Sequence, residues 1–148
     1  MEILLDKFKL SIKLPEEGKL VDSTRYEKTD YANHILFAYL LPDAVLTGTR
    51  GKMEIIDDIR ELVDFNLKQI ILKGFHPNLI RKASDRQNYY VFVDCGKSKV
   101  LQSYFYYKNY FYSISATVNA SKKINLNKIK KLDIYNALKN IVESIKNN

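Results

Sequence analysis

The sequence predicts an α+β fold: an antiparallel β-sheet of about five to seven strands with two main helices packed on it. Three observations carry that expectation. Residues 87–118 hold ten of the chain's 11 tyrosines and 7 phenylalanines, interleaved with β-branched residues and cut by short polar breaks. Such runs separated by turn chemistry read as consecutive antiparallel strands. Two other stretches, residues 53–73 and 133–146, instead repeat their apolar residues every three or four positions, the period of a helix with one buried face. The strand–helix–strand alternation that builds parallel sheets is missing from the sequence.

The elements follow in order. Phe8, Leu10, Ile12 and Leu14 alternate with Lys9, Ser11 and Lys13, a half-buried strand ended by Pro15-Glu16-Glu17-Gly18. Residues 19–27 read as a short extended segment. Residues 31–41 form a second strand; its near-continuous apolar run from Ile35 predicts burial on both faces, as in a central strand, with Pro42-Asp43 as the stop. Residues 44–52, with Gly48 and Gly51, read as a flexible connector. A helix is expected from Met53, carrying Ile59, Leu62, Val63, Leu67, Ile70 and Ile71 on a wide stripe. Acids (Glu54, Asp57, Asp58, Glu61) fill its first half and Lys68 and Lys73 its end, matching the helix dipole, with Gly74 past the last turn. Residues 78–84 make a short strand. The meander then runs through Tyr89–Val93, turns at Gly96-Lys97-Ser98, and returns across Lys108-Asn109. The last helix starts at Asp133 and buries Ile134, Leu138, Ile141, Val142 and Ile145. With no linker or repeat, residues 1–148 read as a single domain.

Composition narrows the function classes. An apolar fraction of 46% and a charged fraction of 28% suit a globular core. The longest apolar run, residues 35–41, is too short to insert into a membrane, and the first residues lack the basic and apolar regions of a signal peptide. The single cysteine, Cys95, excludes an internal disulfide, suits a reducing compartment and reads as a small buried hydrophobe. A cytoplasmic location is therefore expected. The net charge of +7 is uneven: beyond Asn119, seven lysines face only Asp133 and Glu143. Lys122, Lys123, Lys128, Lys130 and Lys131 form a basic surface, but with five arginines in the whole chain it is short of the planar forks that nucleic-acid sites favour.

No catalytic or metal-ligating constellation is legible. His34 and His76 stand far apart without Cys or acidic residues at ligand spacing. Residues 48–52 (Gly-Thr-Arg-Gly-Lys) lack the spacing of a phosphate-binding loop, and Asp57 with Glu61 reads as a dipole complement. No cofactor is implied, and a non-enzymatic protein is expected. The aromatic meander could stack bases, but aromatics at sheet spacing more often pack across strands, and no RNP-like pattern accompanies them. A protein partner is the better expectation than nucleic acid. Strand alternation puts Phe105 and Tyr107, with Phe111 and Ser113, on the smaller, more polar sheet face, and these four are the expected partner-binding residues.

Several of these stretches resemble the PsbP-like superfamily: Phe8 through Gly18 its opening strand and Pro-containing turn, Leu72-Lys73-Gly74-Phe75 its helix-to-strand junction, Tyr104 through Ile114 its central hairpin, and Ile141-Val142-Glu143-Ser144-Ile145 its closing helix. The resemblance implies an α/β/α sandwich and non-enzymatic roles. It points to DcrB-like or Eag-type proteins, the latter cytoplasmic chaperones of bacterial secretion-system effectors, and it leaves a homodimer open. The function expected is thus a bacterial protein-binding adaptor or chaperone for a secreted effector. The alternative is a toxin-immunity or regulatory interaction protein whose partner meets the Lys-rich C-terminal surface.

Overall fold

The sheet grows outward from one hairpin. Tyr107 pairs with Tyr110 across Lys108 and Asn109, whose φ angles of 48° and 70° are the two positive values a tight two-residue turn requires. A computed structural model describes residues 1–5, 8–21, 33–42, 44–52, 59–82, 88–119 and 133–148. In these, β1 (Glu2–Leu5) and β2 (Leu10–Lys13) form a two-stranded antiparallel sheet. The main sheet comprises β3 (Lys19–Leu20), β4 (Asn33–Leu40), β5 (Ala44–Lys52), β6 (Pro77–Lys82), β7 (Asn88–Asp94), β8 (Ser98–Tyr107) and β9 (Tyr110–Asn119). Its order is β3-β4-β5-β9-β8-β7-β6, antiparallel throughout. The helices are α1 (Ile59–Leu72) and α2 (Asp133–Lys146). The α+β class and the antiparallel sheet are as the sequence predicts.

Two expectations are corrected. Residues 44–52 are not a connector but β5, bonded on both sides and seated between β4 and β9. Ala44, Leu46 and Gly48 turn inward while Val45, Thr47 and Thr49 turn outward, so a strand alternation is present beneath the glycines. Gly48 is required by packing: a Cβ there would lie 2.3 Å from Cε1 of Phe37 on β4. The glycine makes room for a ring and breaks no strand.

The second correction concerns β4, which is next to the edge and not central: among the described residues its outer side meets the two-residue β3 and the Val21 N–H, which bonds the Ala38 carbonyl at 2.8 Å. Its apolar run has a local cause. The register shifts between Ile35 and Phe37, and consecutive Leu36 and Phe37 both join the same core cluster. Leu40 at its end is exposed.

Two apolar clusters lie on the sheet, and strand alternation assigns them to opposite faces. The larger joins Phe37, Tyr39, Leu46, Phe92, Leu101, Phe105, Tyr112 and Ile114 to Leu10, Ile12 and Leu14 of the small sheet's arm and to Leu138, Ile141, Val142 and Ile145 of α2. Tyr135 of α2, which periodicity did not select, is buried too and meets Tyr90 edge-on, with centroids 5.5 Å apart. The smaller cluster joins Val63 of α1 to Tyr89, Val91, Val93 and Tyr104. The C-terminus of α1 closes as the sequence predicts. Gly74 takes φ 90°, its N–H bonds the Ile71 carbonyl at 2.9 Å, and that of Phe75 bonds the Ile70 carbonyl at 3.3 Å. The expected first turn, residues 53–58, lies outside the described residues.

Candidate interaction surface

Parity across the β8–β9 turn decides which aromatic side chains share a face. Because residue 107 pairs with 110, odd-numbered residues of β8 lie beside even-numbered residues of β9. Phe105 therefore stacks on Tyr112, centroids 4.9 Å apart and planes 6° from parallel, fully buried in the larger cluster. Tyr107 flanks the same cluster, and its hydroxyl donates to the Asn148 main-chain oxygen at 2.7 Å. Phe111 and Ser113 point the other way. Phe111 stacks on Tyr104 at 5.9 Å, and Ser113 sits opposite Tyr104 in register. The structure thus brings Phe105 together with Tyr107, and Phe111 together with Ser113, but not the two pairs with each other. The signal that places them was in the sequence: a two-residue turn fixes the pairing sum, and with it the parity.

The face carrying Phe111 and Ser113 divides into two halves. Over β7 and β8, Leu67 and Ile70 of α1 pack beside Val63 against the smaller cluster. Burial there pushes the Tyr104 hydroxyl up to about 12, and that hydroxyl donates to Gln102 Oε1 at 2.5 Å. Over β5 and β9, no described helix is present. Val45 pairs with Thr117, Thr47 with Ser115 and Thr49 with Ser113, giving a ladder of small and β-branched side chains. All six are half-buried or exposed. Exposed Leu40 extends the ladder onto β4.

A second apolar surface stands on α1, where Phe65 is 58% exposed, Ile71 54%, Leu72 77% and neighbouring Phe75 36%. Periodicity predicts Ile71 on the buried stripe, but it is exposed, as are Phe65 and Leu72, which lie off that stripe. Those two lie opposite Val63, and their seven-residue spacing, two helical turns, was the available clue.

On the α2 face, Arg50 is stacked between rings, its Cζ 4.0 Å from the Tyr110 centroid and 4.8 Å from that of Phe8, with its Nε buried and unbonded. Lys99 is buried and held by Asp94 Oδ1 at 2.5 Å and the Gly96 carbonyl at 2.7 Å, so its charge is matched within the β7–β8 turn. Cys95, expected as a buried strand residue, lies in that turn and is only partly buried, because β7 ends at Asp94. A pocket of about 280 Å³ with a mixed lining lies where Leu14, Pro15 and Glu16 meet Asp133, Asn136, Ala137 and Asn140. His76 is exposed after α1, and the side chain of His34 is outside the described set. Among the described residues no group of three or more His, Cys, Asp or Glu is placed to hold a metal, and no helix is long and apolar enough to cross a membrane. Lys122, Lys123, Lys128, Lys130 and Lys131 lie outside the described residues. Compared with known proteins, the chain matches no family model and no curated protein.

Proposed function

We propose that the chain is a non-enzymatic bacterial adaptor or chaperone of the cytoplasm that holds a protein partner, a secreted effector, on its sheet. The observation that carries this reading is the half of the face over β5 and β9, which no helix covers among the described residues and where Thr47, Thr49, Ser113, Ser115 and Thr117 stand in register beside Val45 and Leu40. Small and β-branched side chains on a pleated surface leave a low relief against which a partner's apolar segment can lie, while the hydroxyls bond its polar groups. Phe111, at the border with the covered half, is the aromatic anchor. The same reading takes the architecture as an α/β/α sandwich of PsbP-like type, in keeping with apolar clusters on both faces.

The test is co-purification with the product of an adjacent gene, followed by titration of the purified pair. Thr47→Arg with Ser115→Arg is expected to abolish binding with thermal unfolding unchanged, and Phe111→Ala to weaken it about tenfold while lowering the unfolding temperature, because its ring stacks on Tyr104 and packs against the smaller cluster. Unaltered affinity in the double arginine variant sinks the proposal. The uneven charge keeps a second reading in view, a toxin-immunity or regulatory protein meeting an acidic partner with its lysines. That reading requires binding that weakens steeply with salt and is lost when Lys122, Lys123, Lys128 and Lys130 are neutralised together.

A further inference from the structure

Among the described residues, nothing accepts a hydrogen bond from the guanidinium of Arg50. The group lies between the rings of Tyr110 and Phe8, its Cζ 4.0 and 4.8 Å from their centroids. Ring faces offset part of the charge, but they meet the guanidinium flat on. The N–H groups, which point outward in its plane, find no acceptor there. Its Nε is buried as well. Lys99, another cation on the sheet, shows the usual remedy, for it is held by the Asp94 carboxylate and the Gly96 carbonyl. A fixed guanidinium with its donors left over calls for a partner of another kind.

The surroundings say what that partner is. Residues 33–40, 44–52 and 98–119, which build β4, β5, β8, β9 and the turn between the last two, contain no Asp or Glu. Lys52 follows Arg50 on the same face, is exposed, and pairs in register with Tyr110. Exposed Lys108 stands in the adjoining turn, and exposed Lys9 is next to Phe8, just before β2. Within that arm the Glu2 carboxylate accepts from the Ser11 hydroxyl at 3.0 Å. This corner of the sheet is therefore positive, and no described carboxylate closes on Arg50. Two rings fix the plane of the guanidinium, so its fork is set before a ligand arrives. Nε is shut off, and the half-buried side chain leaves its Nη1–Nη2 edge toward solvent. We infer that Arg50 anchors a binding site for a phosphate group, free or as the monoester of a small metabolite. Nη1 and Nη2 donate to two of its oxygens, and Lys52 adds charge. A carboxylate could accept the same fork, but a dianion draws more from the lysines around it. The site is on the α2 side of the sheet, so its test is independent of the open face over β5 and β9.

Nitrogen-15 NMR of the folded chain is the test, with inorganic phosphate as the probe and glycerol 3-phosphate as the monoester. The Arg50 Nε–H is shielded from solvent and so gives its own signal. That signal is expected to move and saturate in the millimolar range with phosphate, but not with chloride at equal ionic strength. Whichever phosphate binds tighter identifies the source. In variants the affinity is read from neighbouring backbone amides. Arg50→Lys keeps the charge, loses the fork, and is expected to weaken binding at least about tenfold. Lys52→Gln, at an exposed position, is expected to weaken it about threefold with the unfolding temperature unchanged. No saturation by tens of millimolar, or an equal response to chloride, overturns the inference. So does unchanged affinity in Arg50→Lys. If that variant fails to fold, unchanged affinity in Lys52→Gln overturns it alone.

Discussion

Tyr104 illustrates what sheet closure does to a single hydroxyl. Stacked on Phe111 and nearly inaccessible, it cannot ionise without placing a phenolate among apolar groups, so its pKa rises from 10.0 to about 12. The sign follows from the protonated form being the favoured one in the fold. Below pH 10 both folded and unfolded chains keep the proton, and the contribution is whole. Between pH 10 and 12 the unfolded chain releases it first, and stability is lost over that window. A two-unit shift corresponds to roughly 2–3 kcal/mol at its limit. Denaturant unfolding followed against pH should therefore fall between pH 10 and 12, and Tyr104→Phe should flatten that fall while leaving neutral-pH stability within about 1 kcal/mol of the parent, the worth of its bond to Gln102. An unchanged alkaline slope in the variant would assign the loss to other groups.

At the scale of elements, α2 does more than cover the core. Its end seals the free edge of β2: Asn148 accepts from the Ser11 N–H and donates to the Ser11 carbonyl, both at 2.8 Å, and the Ser144 hydroxyl accepts from the Lys13 N–H at 3.0 Å. Side chains thus stand in for a neighbouring strand, one of the ways an edge is protected from unwanted pairing. Asn148→Ala should cost about 1–2 kcal/mol, with faster amide exchange at Ser11 as the local signature; unchanged exchange there would mean the seal is dispensable. None of this was legible beforehand, because a bond across 137 residues leaves no periodicity. What was legible had local causes: β2 from alternation, α2 from its stripe, the α1 terminus from Gly74, the β8–β9 turn from its polar pair. What escaped was set by tertiary partners. Gly48 suggested a loop because the ring it makes room for, Phe37, is eleven residues away on another strand. The candidate site differs for a local reason: Phe105, Tyr107, Phe111 and Ser113 are hairpin residues but not one surface, because the two-residue turn that the sequence shows pairs 107 with 110 and so sets odd positions of β8 beside even positions of β9.

For the whole molecule, the two faces differ in how firmly their helices are held. α2 sinks Tyr135, Leu138, Ile141, Val142 and Ile145 into the larger cluster, whereas among the described residues of α1 only Val63 is buried outright. Local opening costs roughly the buried contacts that must be broken, so α1 should open without the sheet and α2 only with it. Native-state hydrogen exchange should place the α2 amides at the global unfolding free energy and those of α1 well below it. Leu138→Ala, which empties a fully buried site, should lower the α2 and sheet values together by about 2–5 kcal/mol; Val63→Ala should lower α1 alone. Equal protection of the two helices would mean that contacts beyond Val63, Leu67 and Ile70 hold α1 to the sheet.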